Sequence, residues 1–273
     1  MPNENQEKKA SSLNFLALPN DSTAKTFIMA TLVCLVCAVF VSVSAVALKP
    51  LQILNKELDK KKNILQVAGL YQDGDDIEAA FSKIEIKLID LETGEYTTEL
   101  DATTYDEIKA AKDPALNVQI PKEKDLGSIR MRPKLMPVYQ VKDGDKVTQL
   151  ILPINGYGLW STLYGFLAVE NDGQTIVGLS YYQHAETPGL GGEVDNPKWK
   201  SLWLGKKIYG PNGDVAIDVV KGSVAPDAKG GEFQVDGLAG ATLTSRGVGN
   251  MLKYWMGAEG YQQYLSKIQA NGV

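Results

Sequence analysis

Residues 27–48 read FIMATLVCLVCAVFVSVSAVAL, 22 positions without a charged side chain. As a helix rising about 1.5 Å per residue, the run spans ~33 Å, enough to cross a hydrocarbon core about 30 Å thick. Lys25 and Lys49 bracket it, and Pro50 follows at a point where a helix can bend or restart. Ala45-Val46-Ala47 resembles a signal-peptide cleavage site. However, the apolar run exceeds the ~7–15 residues of such a region, and the mostly polar residues 1–26 precede it. The expectation is a retained single-pass anchor, with the folded domain built from the chain beyond residue 49.

Charge does not orient the anchor. Lys8, Lys9 and Lys25 lead it; Lys49, Lys56, Lys60, Lys61 and Lys62 trail it. Local counting mildly opposes export of the trailing side, but long domains translocate largely regardless of charge. The two cysteines, Cys34 and Cys37, both lie inside the span. One C-x-x-C pair cannot close a tetrahedral metal site, so they read as lipid-facing or packing residues. The remaining chain has no cysteine, which excludes a disulfide scaffold and suits an oxidising compartment.

Composition narrows the function classes. With 273 residues, 44% of them hydrophobic, the chain can bury a sizeable core and is not generally disordered. A formal net charge of −5 disfavours nucleic acid as a partner. His184 is the only histidine, so no histidine-rich metal site exists and none is expected.

Beyond the anchor, Leu51, Leu54, Leu58 and Leu65 recur near helical spacing, predicting a helical stalk over 49–70. A short helix is expected at 77–81, a strand at 84–88 turning at Thr93-Gly94, and a helix at 105–111. Asp143-Gly144 and Asn171-Asp172-Gly173 sit between alternating apolar runs and predict two hairpins, the second joining 163–169 to 175–182. A further strand is expected at 214–220 and helices at 198–204, 246–256 and 260–268. Hairpin-paired strands with helices grouped late predict an α+β domain with an antiparallel sheet and flanking helices. The expected divisions are 1–26, 27–48, 49–70 and 71–273.

Three loops are rich in glycine and small residues: 156–161, 184–193 and 236–245. In the third, Thr244 or Ser245 reads as a helix N-cap, placing Thr242 just before a helix start. Free N–H groups there favour an anion. The plainer reading, an ordinary capped helix after a tight turn, stands beside it. A hydrolase reading would use His184 as base for Thr242 or Ser161, but there is no G-x-S-x-G elbow.

The run DGLAGATLTS resembles the flavinylation motif of the FMN-binding domain family, Asp-x-x-(Ser/Thr)-Gly-Ala-Thr. HAETPGLGGEVDNPKWKSLWLGK resembles that family's companion loop. Together with GYGLWS, the stalk and the anchor, these motifs resemble the C subunits of the sodium-translocating NADH:quinone oxidoreductases. Ala239 departs from the motif, standing where Ser or Thr is usual. The resemblance implies FMN esterified through its phosphate to Thr242 by a flavin transferase with FAD as donor. It also implies cofactor contacts from Asp236, Gly240, Ala241, Leu243 and Thr244, and ring contacts from Trp160, Ser161, Glu186, Thr187 and Leu190. The implied role is an electron relay among other membrane subunits of a sodium-pumping complex in the bacterial inner membrane, not catalytic alone. The implied orientation is a cytoplasmic 1–26 and a periplasmic carboxyl-terminal domain. Alternatives are the flavin subunit of the RNF ferredoxin:NAD oxidoreductase complex, or an anchored structural module without cofactor.

Overall fold

A computed structural model describes Pro19 and residues 21–271 of the chain. Most of the leading segment 1–26, Lys8 and Lys9 included, lies outside the described residues. The chain divides between Glu57 and Leu58 into two compact units. Helix α1 (Thr23–Val67) runs 45 residues and carries Pro50 inside it, so no restart occurs there. Proline forfeits one N–H bond, which the remaining ladder tolerates. The apolar run 27–48 lies in this helix, is exposed throughout, and is long and apolar enough to cross a membrane.

In the second unit the elements follow as α2 (Ile77–Phe81), β1 (Ile84–Asp90), β2 (Glu95–Thr97), α3 (Glu107–Ala110), β3 (Asn117–Gln119) and β4 (Met131–Pro133). Next come β5 (Leu135–Asp143), β6 (Lys146–Tyr157), β7 (Thr162–Glu170), β8 (Ile176–Gln183) and α4 (Pro197–Ser201). The chain ends with β9 (Asp218–Val219), β10 (Gln234–Val235), α5 (Thr242–Trp255) and α6 (Gln262–Asn271). Six strands form one antiparallel sheet in the order β2-β1-β5-β6-β7-β8. Both expected hairpins are present, with Gly144 and Gly173 at positive φ in their turns.

The sheet is buried on both faces, and strand alternation sorts side chains between two cores. Leu150, Leu152 and Ile154 of β6 and Leu163, Leu167 and Val169 of β7 meet Val248, Met251 and Trp255 of α5 and Leu265 of α6. On the opposite face, Ile151, Phe166 and Ala168 meet Ile64, Leu65 and Val67 at the end of α1. The compact unit thus begins at Leu58, within the segment expected to be a stalk. Lys60 belongs to this closure: its ammonium lies 2.9 Å from the buried Glu107 carboxylate.

Two local expectations differ from the structure. The strand expected at 214–220 shrinks to the two residues of β9, because the N–H groups of Ala216 and Ile217 both turn to Ile208 O. Helix α5 starts at Thr242, earlier than expected, with Ala241 at the N-cap and no side-chain cap. The hydroxyls of Thr244 and Ser245 are buried and spent inward, so neither caps the helix.

Candidate functional site

The β6–β7 turn, the segment after β8 and the turn before α5 carry the three glycine-rich loops, and hydrogen bonds tie them together. Glu186, just beyond β8, is 5% exposed. Its Oε1 accepts the N–H groups of Leu159 and Trp160, both at 3.0 Å, and of Ser161 at 3.3 Å. Its Oε2 accepts the Thr244 hydroxyl at 2.8 Å. Burial pushes the carboxyl pKa up, but the Trp160 N–H, the Thr244 hydroxyl and the Leu159 and Ser161 N–H groups outweigh it and hold it below the usual range. A further bond runs from Ala185 N–H to Ser161 Oγ at 2.8 Å.

Thr242 opens α5 on the exposed side, in the turn DGLAGAT. The first N–H groups of a helix have no intrahelical acceptor, and here no cap side chain takes them. Ser245 Oγ instead accepts Leu238 N–H at 2.9 Å and donates to Ala241 O at 3.1 Å, fixing the turn ahead of Thr242. A cavity of about 220 Å³ opens beside Thr242, lined also by Arg246, Asn250 and Lys221. Arg246 sits one helical turn after Thr242 and has no ion pair among the described residues. An exposed alcohol, unspent helix amides and an unpaired guanidinium suit a phosphate ester.

The other expected residues divide into two groups. Trp160, Leu190 and Leu243 are 66%, 45% and 51% exposed, apolar surface that a planar ring could cover. Leu190 leans on the Thr242 turn, since a methyl group at Gly240 would meet its Cδ2 at 3.0 Å. Thr187 is exposed, with its carbonyl accepting Leu190 and Gly192 N–H groups. Glu186, Ser161, Thr244 and Asp236, by contrast, serve the protein. Asp236 Oδ1 accepts Val224 N–H, and its carbonyl accepts the Trp199 indole N–H, both at 2.8 Å.

The hydrolase reading has no geometry behind it. His184 Nδ1 accepts Glu186 N–H at 3.1 Å and its Nε2 faces Asp195 at 2.7 Å, so neither nitrogen serves Thr242 or Ser161. A larger cavity, about 670 Å³, is lined by Glu107, Ile129, Met136 and Tyr182 among others, away from Thr242. Chemistry rather than volume therefore selects the site. Sequence reasoning missed Arg246, Lys221 and Asn250. Arg246 carried a usable signal, because it follows Thr242 by four residues on the same helix.

The FMN-binding domain family matches residues 158–257, which contain all three loops from Gly158 onward. The C subunit of the Na(+)-translocating NADH-quinone reductase of Pseudomonas aeruginosa is 50% identical over 91% of this chain and 97% of its own length. The Haemophilus ducreyi protein of the same name is 46% identical over 92% of this chain and 96% of its own. The crystal structure of Shewanella oneidensis NqrC aligns with a TM-score of 0.73 at 35% identity, covering 80% of this chain and all of that one. The crystal structure of the Parabacteroides distasonis counterpart aligns at 0.63 and 29% identity, over 80% and 97% of the two chains. An α+β fold with an antiparallel sheet, near-complete coverage of the relatives and the FMN-binding match at the loops agree with one another. The chain belongs to the family of Na(+)-translocating NADH-quinone reductase C subunits.

Proposed function

We propose that this chain is a single-pass inner-membrane protein that carries FMN as a phosphoester on Thr242. It relays electrons within a sodium-translocating NADH:quinone reductase. Thr242 supplies the alcohol: its oxygen bonds to the FMN phosphorus of FAD, the pyrophosphate bond breaks, and AMP and the hydroxyl proton leave. A flavin transferase assists this step. The amides of the first turn of α5 and Arg246 would hold the phosphate, while Trp160, Leu190 and Leu243 would cover the ring. Bound FMN supplies one- and two-electron redox chemistry. A phosphoester leaves the ring itself unaltered, so the surrounding protein tunes its potential.

The apolar run 27–48 is the anchor, and the domain beyond it faces the periplasm, where a dissociated flavin could not be replenished. Anchoring keeps the domain beside the other membrane subunits and raises its effective concentration toward them. One span and no NADH-binding fingerprint fit a relay that does not act alone.

The observation that carries this reading is the exposed Thr242 at the head of a helix with no side-chain cap, one turn from Arg246, which has no ion pair among the described residues. Mass spectrometry of the protein isolated from membranes that also contain the transferase tests it. The Thr242 peptide should carry the mass of FMN minus water; a peptide of unmodified mass overturns the assignment. Protease added to spheroplasts should digest the domain beyond the anchor, and protection of it would reverse the orientation.

A further inference from the structure

The family resemblance implies Glu186 among the ring contacts, yet its buried carboxylate is turned to the protein. Its Oε1 receives three donors, the Leu159, Trp160 and Ser161 amides, which saturate it, and its buried Oε2 receives the Thr244 hydroxyl. We propose that Glu186 is a positioning residue: a buried anion that clasps the β6–β7 turn to the first turn of α5. It thereby sets where Trp160 and Thr242 stand relative to one another. This inference rests on the reading of Thr242 as the flavin acceptor.

Independent observations converge on the clasp. The chain leaves room for this carboxylate at two glycines. A Cβ at Gly158 would lie 2.6 Å from Oε1, and one at Gly191 would lie 2.6 Å from Oε2. The backbone of Glu186 is itself held, because its N–H donates to His184 Nδ1 and the neighbouring Ala185 N–H donates to Ser161 Oγ. No cation pairs with Glu186 among the described residues; neutral dipoles alone stabilise its charge. Charge-assisted bonds of this kind are about twice as strong as neutral ones, so the loop geometry follows the carboxylate. A fixed negative charge next to the site also disfavours adding electrons to a flavin there.

Three full-length variants made with the transferase, Glu186→Gln, Glu186→Ala and Thr244→Val, separate geometry from charge. Glutamine keeps the arrangement: its carbonyl accepts the amides, and its NH2 donates to the Thr244 hydroxyl, which can rotate to accept. In Glu186→Gln, FMN on the Thr242 peptide should stay within about twofold of wild type. Its flavin midpoint potential should shift upward. In Glu186→Ala, FMN incorporation should fall several-fold and flavin fluorescence anisotropy should drop. If that variant does not fold, Thr244→Val, which removes one bond of four, should show the same losses in smaller degree. Wild-type incorporation and anisotropy in the folded truncation overturn the clasp, and an unchanged potential in Glu186→Gln overturns the effect of its charge, each leaving the Thr242 assignment intact. Wild-type protein without FMN on Thr242 overturns both.

Discussion

The Thr244 hydroxyl donates to Glu186 Oε2 at 2.8 Å although 58 residues separate them in sequence. This bond joins the end of the central sheet to the helix that presents Thr242. It forms because α5 packs along β6 on the face where β8 also ends its run beside the β6–β7 turn. A helix start with no cap of its own is held by an anion borrowed from another element.

Thr242→Ala should abolish covalent flavin and leave the fold unchanged. The side chain is exposed at the first helical position, where substitutions usually cost under about 0.5 kcal/mol. In-gel flavin fluorescence and a thermal melt check both halves; fluorescence retained in the mutant relocates the attachment.

Arg246→Ala should likewise keep the melting temperature, since Arg246 is exposed and makes no ion pair among the described residues. Loss of the cation beside Thr242 should lower the fraction of protein carrying FMN several-fold, read by intact mass. Equal occupancy would mean that the helix amides alone hold the phosphate.

Gly191→Ala should destabilise the domain by about 1–3 kcal/mol, the usual cost of overpacking. Its new methyl carbon would lie 2.6 Å from both Glu186 Oε2 and Thr244 Oγ. Denaturant unfolding gives the difference, and a neutral result would show that the clasp shifts freely.

Acid should weaken the domain in part through Glu186. Its pKa is held below the usual range on folding. The stability it contributes is therefore complete above the ordinary glutamate value of about 4.3 and is lost as pH falls toward the folded value. Melting temperature measured from pH 6 down to pH 3 should fall less steeply in Glu186→Gln than in wild type. Parallel curves would remove Glu186 from the acid response.

Lys60→Met should cost about 1–3 kcal/mol, the range for leaving a buried polar group without its partner, because Lys60 itself is half-buried. It strands the buried Glu107 carboxylate, whose Oε2 already lacks a partner. Adding Glu107→Gln should recover much of the loss in a double-mutant cycle, because the uncompensated charge disappears.

Much of this molecule is written locally. The long apolar helix follows from 22 uncharged residues, and both hairpins follow from Asp143-Gly144 and Asp172-Gly173, since turn chemistry and period-two alternation act over a few residues. The DGLAGAT run singles out Thr242 only through its resemblance to the family motif, since its composition alone fits an ordinary turn before a helix. Three outcomes were not legible. Strand β1 pairs with β2 on one side and, across the intervening α3, β3 and β4, with β5 on the other. The end of α1 closes the second face of the sheet. Helix α5 begins at Thr242 because the hydroxyls that look like caps are drawn inward by Glu186 and Leu238.

By itself, then, the sequence determined the long apolar helix and the two hairpins, each settled by composition, periodicity and turn chemistry acting over short stretches of chain. Tertiary structure alone decided which polar groups around that turn face solvent and which hold the protein together. Glu186, Ser161 and Thr244 have the same donors and acceptors in any unfolded chain. Only when burial removes water must each find a partner, and the partners lie on distant elements.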